Sequence, residues 1–174
     1  MFRQTGRVGA QLAVFARDVV LAARGYDRKR TVASVLFLDG DGRVLIVKPT
    51  YQEGWTLPGG GVETGESPLE AARREVREEL GLEMRFHSLI AVDYRRGGLV
   101  PEAVAVLFFG GRLAASGVVT TVAPDEIASV AWEPLEDAVR LLRTPIAKRV
   151  AAAYVALQEG GAIYLEDGDT VPPD

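Results

Sequence analysis

The pattern of apolar and polar positions changes near residue 31. From Thr31 to Leu38 the chain is rich in β-branched and aliphatic residues, and after the turn sequence Asp-Gly-Asp-Gly a second apolar run extends from Arg43 to Lys48. This pattern predicts a β-hairpin. The same turn resembles the start of a calcium loop, but Arg43 and Thr50 stand where that loop needs ligands, so a simple turn is favoured.

Similar patterns farther along the chain predict four more strands and two helices. The strands fit residues 86–94, 103–110, 118–122 and 129–133. The helices fit residues 135–142 and 146–158, with Thr144-Pro145 as a helix start. Residues 160–174 predict a short strand and a polar tail. Strands mixed with a few helices indicate an α/β sandwich around a mixed sheet.

The N-terminal region has a different character. Residues 12–21 are apolar except for Arg17 and Asp18, a pattern that predicts an amphipathic helix packed on the domain or forming a dimer face. Membrane association is a less favoured alternative, and no apolar run approaches the roughly 18 residues of a membrane span. We therefore expect an N-terminal helix and linker (1–30), one catalytic domain (31–160) and a C-terminal tail (161–174).

The segment from Ser67 to Leu80 predicts a helix with clear ends. Ser67 and Glu70 form a capping box, Pro68 occupies the first helical position, and Gly81 supplies a left-handed stop. An apolar stripe suited to burial recurs at three- and four-residue steps, at Leu69, Ala72, Val76 and Leu80.

Three glutamates, Glu75, Glu78 and Glu79, lie on one flank of this predicted helix. Glu75 and Glu79 are one turn apart, and their repulsion costs a few tenths of a kcal/mol unless a cation binds them. Magnesium is held by carboxylates, water and phosphate oxygens, so an acidic flank without His or Cys suits it. On its own, such a flank is more often a solvated surface.

Upstream residues make the metal interpretation much stronger. Residues 60 to 82 fill every specified position of the pattern G-x5-E-x7-R-E-U-x-E-E-x-G-U, where U is aliphatic. The fixed positions before the glutamates are Gly60, Glu66 and Arg74. This pattern is the Nudix box, and the chain resembles the Nudix hydrolase family.

The resemblance implies a Nudix-type α/β/α sandwich, here with an extra N-terminal helix. It also implies hydrolysis of a nucleoside diphosphate linked to another group, X, by water attacking phosphorus with Mg²⁺ or Mn²⁺ as cofactor. The metal ligands implied are Glu75 and Glu79, Glu78 as a further ligand, and the carbonyl of Gly59. Arg74 is expected to orient a glutamate, and Glu66 is expected to brace the loop against the helix.

The general base and the substrate contacts are less determined. Glu75 or a glutamate on a later loop can serve as base, and we rank Glu126 above Glu102. Tyr51 and Trp55 flank the glycine loop and are candidates for stacking on a base, while Arg95 and its neighbour Arg96 are candidates for phosphate contacts. The chain's one histidine, His87, is expected to be structural.

The composition of the chain bears on the size of its core, on nucleic-acid binding and on its cellular compartment. The chain has 174 residues, 48% of them hydrophobic, which suits one sizeable core. A net charge of −4 argues against general nucleic-acid binding, and the absence of cysteine fits a reducing compartment, so we expect a cytoplasmic protein.

The identity of X stays open at this level. Residues 97–100 stand where ADP-ribose and dinucleoside-polyphosphate subfamilies carry their markers, and they match neither. Nucleoside triphosphates and their deoxy forms are therefore slightly favoured, with ADP-ribose or nucleotide sugars close behind. A nucleotide-binding sensor without catalysis is the alternative of another class, and a homodimer is possible.

Overall fold

The computed structural model describes residues 29–83, 88–98, 101–114 and 124–172. The expected N-terminal helix, His87 and the strand predicted at 118–122 lie outside these residues. The described elements are eight strands and three helices. The strands are β1 (Arg30–Leu38), β2 (Val44–Pro49), β3 (Gly59–Gly61), β4 (Ser88–Arg95), β5 (Ala103–Arg112), β6 (Ile127–Glu133), β7 (Ile163–Glu166) and β8 (Asp169–Thr170). The helices are α1 (Pro68–Leu80), α2 (Leu135–Leu141) and α3 (Thr144–Gln158).

All eight strands join one mixed sheet in the order β6-β2-β1-β5-β4-β7-β8, with β3 also paired to β1. The pairs β1–β5 and β4–β7 are parallel, and the other pairs are antiparallel. The predicted α/β fold with a mixed sheet is therefore confirmed. The short strand β3 was not predicted, because three consecutive glycines favour a turn by composition and only their pairing with β1 makes them a strand.

Alternate residues of β1 point to opposite faces of the sheet and define two cores. Val35 and Phe37 pack with the apolar side of α1, and Leu36 and Leu38 pack with α2 and α3. The sheet thus lies between one helix and two helices. None of the helices in the described residues has the length and apolar character needed to cross a bilayer.

Helix α1 has the ends that its sequence predicts. The Ser67 hydroxyl accepts a hydrogen bond from the Glu70 N–H, and the Glu70 carboxylate accepts one from the Ser67 N–H. Gly81 ends the helix in the left-handed conformation, with φ 66°. Both ends of α1 are therefore fixed, which holds its glutamates at defined positions beside β3.

The C-terminal segment belongs to the sheet. β7 pairs in parallel with β4, and β8 pairs with β7. The predicted short strand is thus β7, and the division of the chain at residues 30 and 160 stays a prediction.

Candidate active site

Arg74 on α1 forms hydrogen bonds with three glutamates and with one backbone carbonyl of β3. Its Nη1 donates to Glu75 Oε1 at 2.8 Å and to Glu78 Oε2 at 3.1 Å. Its Nη2 donates to Glu66 Oε1 at 2.8 Å and to the Gly61 carbonyl at 3.0 Å. The bond to Glu66 is the main reason that the pKa of Arg74 is raised and that of Glu66 lowered. One guanidinium thus connects the helix, the loop before it and strand β3.

Glu79 points inward from the same helix. Its side chain is buried, with the residue 4% exposed, and its Oε2 accepts a hydrogen bond of 2.9 Å from the Gly59 N–H. Burial raises the pKa of Glu79 to about 8, against the opposing effect of the Gly59 N–H and with added repulsion from Glu75, Glu126 and Glu78. A nearby positive charge strongly stabilises the ionised form of a carboxylate in this position.

Two glycines of β3 are required by this packing. Gly59 has φ +138°, and a Cβ there would overlap the carbonyl oxygen of Ala33 on β1. A Cβ on Gly60 would overlap the Glu75 carboxylate. The first glycine lets β3 approach β1, and the second leaves room for the glutamate over the strand.

Glu126 lies beside the carboxylates of α1 although it comes from a distant loop. The Thr50 N–H donates to the Glu126 carbonyl at 2.8 Å, just before the β2–β6 pairing begins. The charge of Glu126 contributes to the raised pKa of both Glu75 and Glu79. For Glu75, as for Glu79, burial is the main cause. Glu102 instead forms an ion pair with Lys29.

The oxygen donors of this cluster have the chemistry that a hard divalent cation needs. Arg74 bonds to Glu75 and Glu78, whereas Glu79 has no cationic partner among the described residues. In the arrangement described, however, no three acidic or histidine side chains converge on one point. Arg74 bonds to two of these carboxylates, Glu75 and Glu78, and the Gly59 N–H bonds to Glu79.

A cavity of about 400 Å³ opens next to the glycines, on the face of the sheet that carries α3. Tyr51 lines it, and partial burial together with the charges of Glu79 and Glu75 raises the pKa of the Tyr51 hydroxyl. Four arginines also line the cavity: Arg30, Arg95, Arg143 and Arg149. The cavity thus has guanidinium groups along its walls, and its lining residue Tyr51 lies close enough to Glu79 and Glu75 to be influenced by their charges.

Two of the predicted substrate residues lie elsewhere. Trp55 packs against the core between the sheet and α3, next to Leu142, and is not part of the cavity wall. Arg96 forms ion pairs with Glu166 and Asp167 at the β7–β8 turn. A contact between Trp55 and substrate stays a prediction, and Arg95 and Tyr51 are the predicted residues that the structure brings to the cavity.

A buried ion pair closes one wall of the cavity. Arg149 donates to Asp93 Oδ2 from Nε at 2.9 Å and from Nη2 at 2.7 Å, and the Gly168 N–H donates to Asp93 Oδ1 at 3.0 Å. Asp93 is fully buried and Arg149 is 6% exposed. This pair links β4, α3 and the β7–β8 turn, and it neutralises the one arginine of the cavity that is deeply buried.

Sequence reasoning missed Arg30, Arg143 and the Asp93–Arg149 pair. Arg30 reads as the end of a charged linker, and Arg143 reads as a residue before the Thr-Pro helix start. Alternation along β1 places Arg30 on the same face as Val32 and Ser34, which is a detectable signal once the strand is known. The pairing of Asp93 with Arg149 depends on tertiary packing and has no local signal.

A family model for the NUDIX domain matches residues 28–154. The chain belongs to the NUDIX domain family. The resemblance seen in residues 60–82 is thereby confirmed over most of the chain. The Nudix-box residues are connected in the structure. Arg74 bonds to Glu66, Glu75 and Glu78, and the N–H of Gly59, next to Gly60, bonds to Glu79.

Similar proteins include two curated relatives. Diphosphoinositol polyphosphate phosphohydrolase 2 of Rattus norvegicus is 31% identical over 160 residues, covering 86% of this chain and 83% of that protein. The RNA pyrophosphohydrolase of Halorhodospira halophila is 45% identical over 56 residues, covering 32% of this chain and 31% of that protein. The match to several of the first relatives thus spans only about a third of their length.

A solved structure supports the NUDIX fold. The MutT protein from Methanosarcina mazei Go1 superposes with a TM-score of 0.60 at 22% identity, covering 73% of this chain and 96% of that chain. At this identity the likeness concerns the fold alone.

Proposed function

We propose that this NUDIX domain is a divalent-metal-dependent pyrophosphohydrolase that cleaves a nucleoside diphosphate linked to a group X by water attack at phosphorus. The observation that carries the proposal is Glu79, a buried carboxylate with a strongly raised pKa that faces three other glutamates beside an open, arginine-lined cavity. A buried carboxylate of this kind costs stability in the metal-free protein, and strongly perturbed carboxylates beside a cavity cluster at functional sites.

Each residue has a role in this proposal. Glu75, Glu78 and Glu79, with the carbonyl of Gly59, hold Mg²⁺ or Mn²⁺. When bound, the metal neutralises the pyrophosphate, polarises the P–O bond and lowers the pKa of water. Glu126 is the general base.

The same carboxylates require support from their neighbours. Arg74 orients Glu75 and Glu78 through charge-assisted hydrogen bonds, and Glu66 holds Arg74 in place from the preceding loop. Tyr51, at the cavity rim near the carboxylates, contacts the substrate. The arrangement keeps the carboxylates on the side where the pyrophosphate enters.

The sequence favours nucleoside triphosphates, followed by ADP-ribose or nucleotide sugars. The names of the two relatives describe hydrolysis of an RNA pyrophosphate and of a diphosphoinositol polyphosphate. These names support the reaction class and leave X open. Cytoplasmic location and a homodimer stay predictions.

A nucleotide panel tests the proposal. Purified protein is incubated with triphosphates, ADP-ribose and nucleotide sugars in Mg²⁺ or Mn²⁺, with products separated by anion-exchange chromatography. We expect cleavage within the pyrophosphate of at least one substrate class and no cleavage after metal chelation. Tight nucleotide binding without turnover on any substrate would instead support the sensor.

A further inference from the structure

We propose that residues 12–24 of this chain form an amphipathic helix that docks on an apolar patch of the sheet beside α1. The patch is called the outer patch, and it consists of Val92 and Tyr94 on β4, Val104 and Val106 on β5, and Tyr164 on β7. It lies on the opposite face of the sheet from the cavity, because the cavity is lined by the alternate residues Ala103 and Ala105 of β5. The inference is therefore independent of the proposed function.

Strand pairing brings the five residues of the outer patch together. Val92 pairs with Val106 on one side and with Tyr164 on the other, and Tyr94 pairs with Val104. Directly paired residues project from the same face of a sheet. The five side chains therefore form one continuous surface across three adjacent strands.

Neither core of the domain includes the outer patch. None of its five side chains belongs to the two apolar clusters around α1 and around α2 and α3. Helix α1 packs mainly on β1 and β3, and α2 and α3 pack on the other face of the sheet. Tyr164 is 53% exposed, and the other four residues are only partly buried. A solvated sheet face normally carries polar residues at such positions, so valine and tyrosine here indicate a face that another apolar surface covers.

The N-terminal segment joins the sheet at the edge of this patch. The Lys29 ammonium lies 5.9 Å from the centre of the Tyr94 ring, and it also forms an ion pair with Glu102. Residues 1–28 are the longest segment outside the described residues, and they end directly before Lys29. The family match begins at residue 28, so this segment is an addition to the matched domain.

The sequence of the segment suits an apolar surface. At about 100° per residue, Leu12, Phe15 and Val19 lie within about 60° of one another on a helix. Arg17 and Arg24 then lie on the opposite side of the same helix. One side of the helix can therefore be buried on the patch while the charged side stays in water.

The connection between the segment and the sheet is short. Gly25 is placed to end the helix in the left-handed conformation, and residues 26–28 connect it to Lys29. Three extended residues span only about 10 Å, so the end of the helix is held near Tyr94. Such a tether gives the helix a far higher local concentration at the patch than a separate protein has.

The size of the outer patch fits one helix better than a second copy of the chain. Its outermost strands are two strand spacings apart, about 10 Å, which is close to the diameter of a helix with its side chains. A stable interface between two proteins has roughly 20 to 30 residues on each side. The patch has five, so we assign it to the tethered helix.

Thiol labelling tests the inference, because the chain contains no cysteine. Val92→Cys places a single thiol at the centre of the patch, and its rate of labelling by a maleimide is measured in the full-length chain. The same rate is measured after Phe15→Asp and Val19→Asp are added, which place charges on the apolar side of the helix. We expect labelling to become at least about tenfold faster, because a docked helix must open before the reagent reaches the thiol. Equal rates in the two proteins would overturn the inference.

Two controls identify the cause of any change. Arg17→Asp alters the opposite side of the helix and should leave the labelling rate of Val92→Cys unchanged. Val155→Cys lies on α3 at a position that is 55% exposed, and its labelling should be equally fast with and without the two aspartates. An equal increase with Arg17→Asp would contradict docking through the apolar side.

A distance measurement decides the case in which the aspartates unfold the chain. Spin labels are attached to Asp18→Cys, on the charged side of the segment, and to Ser88→Cys, an exposed position of β4. Because the helix is about 20 Å long and ends near Tyr94, we expect one narrow distance distribution below about 30 Å. A broad distribution would overturn the inference. A distance that disappears when labelled protein is diluted with unlabelled protein would also overturn it, because the segment would then dock on a second copy.

Discussion

Replacing Glu79 by Gln should stabilise the metal-free protein, and the gain should grow with pH. Glu79 is almost fully buried and accepts a hydrogen bond from the Gly59 N–H. Glutamine has the same shape and retains that acceptor, but it carries no charge to desolvate. The expected change therefore comes from the charge of Glu79 rather than from lost packing.

The sign follows from the pKa of Glu79, which burial raises from 4.5 to about 8. The folded state holds the proton more tightly than the unfolded state, so wild-type stability is lost as pH rises from 4.5 through about 8. At about 1.36 kcal/mol per pH unit, the glutamine variant should gain roughly 3 kcal/mol at pH 7 and roughly 5 kcal/mol above pH 8. Near pH 4 the two proteins should be equally stable.

Urea unfolding of both proteins in chelator, at several pH values between 5 and 9, measures this difference. Glu78→Gln is a matched control, because the Glu78 side chain is 50% exposed and already paired with Arg74. Parallel stability profiles for wild type and Glu79→Gln would refute the argument that Glu79 is held against its charge. With Mg²⁺ added, wild type should gain stability and Glu79→Gln should gain much less, while its turnover should fall by orders of magnitude.

Three further changes probe the site. Glu126→Gln should lower kcat with little change in metal affinity, measured by Mn²⁺ titration of turnover; a change in metal affinity alone would make Glu126 a ligand rather than the base. Gly60→Ala should reduce kcat/KM about a hundredfold or more because its Cβ overlaps a site carboxylate, whereas Gly61→Ala, with open space at its Cβ, should stay near wild type. Equal kcat/KM for Gly60→Ala and Gly61→Ala would show that β3 can shift to make room for the added methyl group without loss of activity. Asp93→Asn should destabilise the fold by about 3 to 5 kcal/mol in thermal unfolding, because Arg149 is left buried without its counter-charge; a change below about 1 kcal/mol would contradict that reading.

The elements around the carboxylates could be predicted because their signals are local. The capping box at Ser67, the stop at Gly81 and the apolar stripe of α1 are all encoded within one helix. The hairpin of β1 and β2 follows from a turn between two apolar runs. In each case residues close in sequence determine the structure, so their pattern is sufficient.

The arginines that line the cavity could not be predicted because they are distant from one another in sequence. Arg30 and Arg95 share one face of the sheet because both pair with Ala103, and that register depends on the whole sheet. The three consecutive glycines of β3 were difficult to predict for another reason, because their composition favours a turn. They form a strand only because they pair with β1.

The turn between β7 and β8 is tied into the cavity wall through the Gly168 N–H and Asp93. A Cβ on Gly168 would lie 2.7 Å from the Cβ of Lys148, so this turn packs closely on α3. The family match ends at residue 154, before this turn. A protein shortened to the matched residues would retain all the glutamates of the Nudix box but leave Asp93 without its backbone donor. Expression of the domain for functional work therefore needs the chain through at least Thr170.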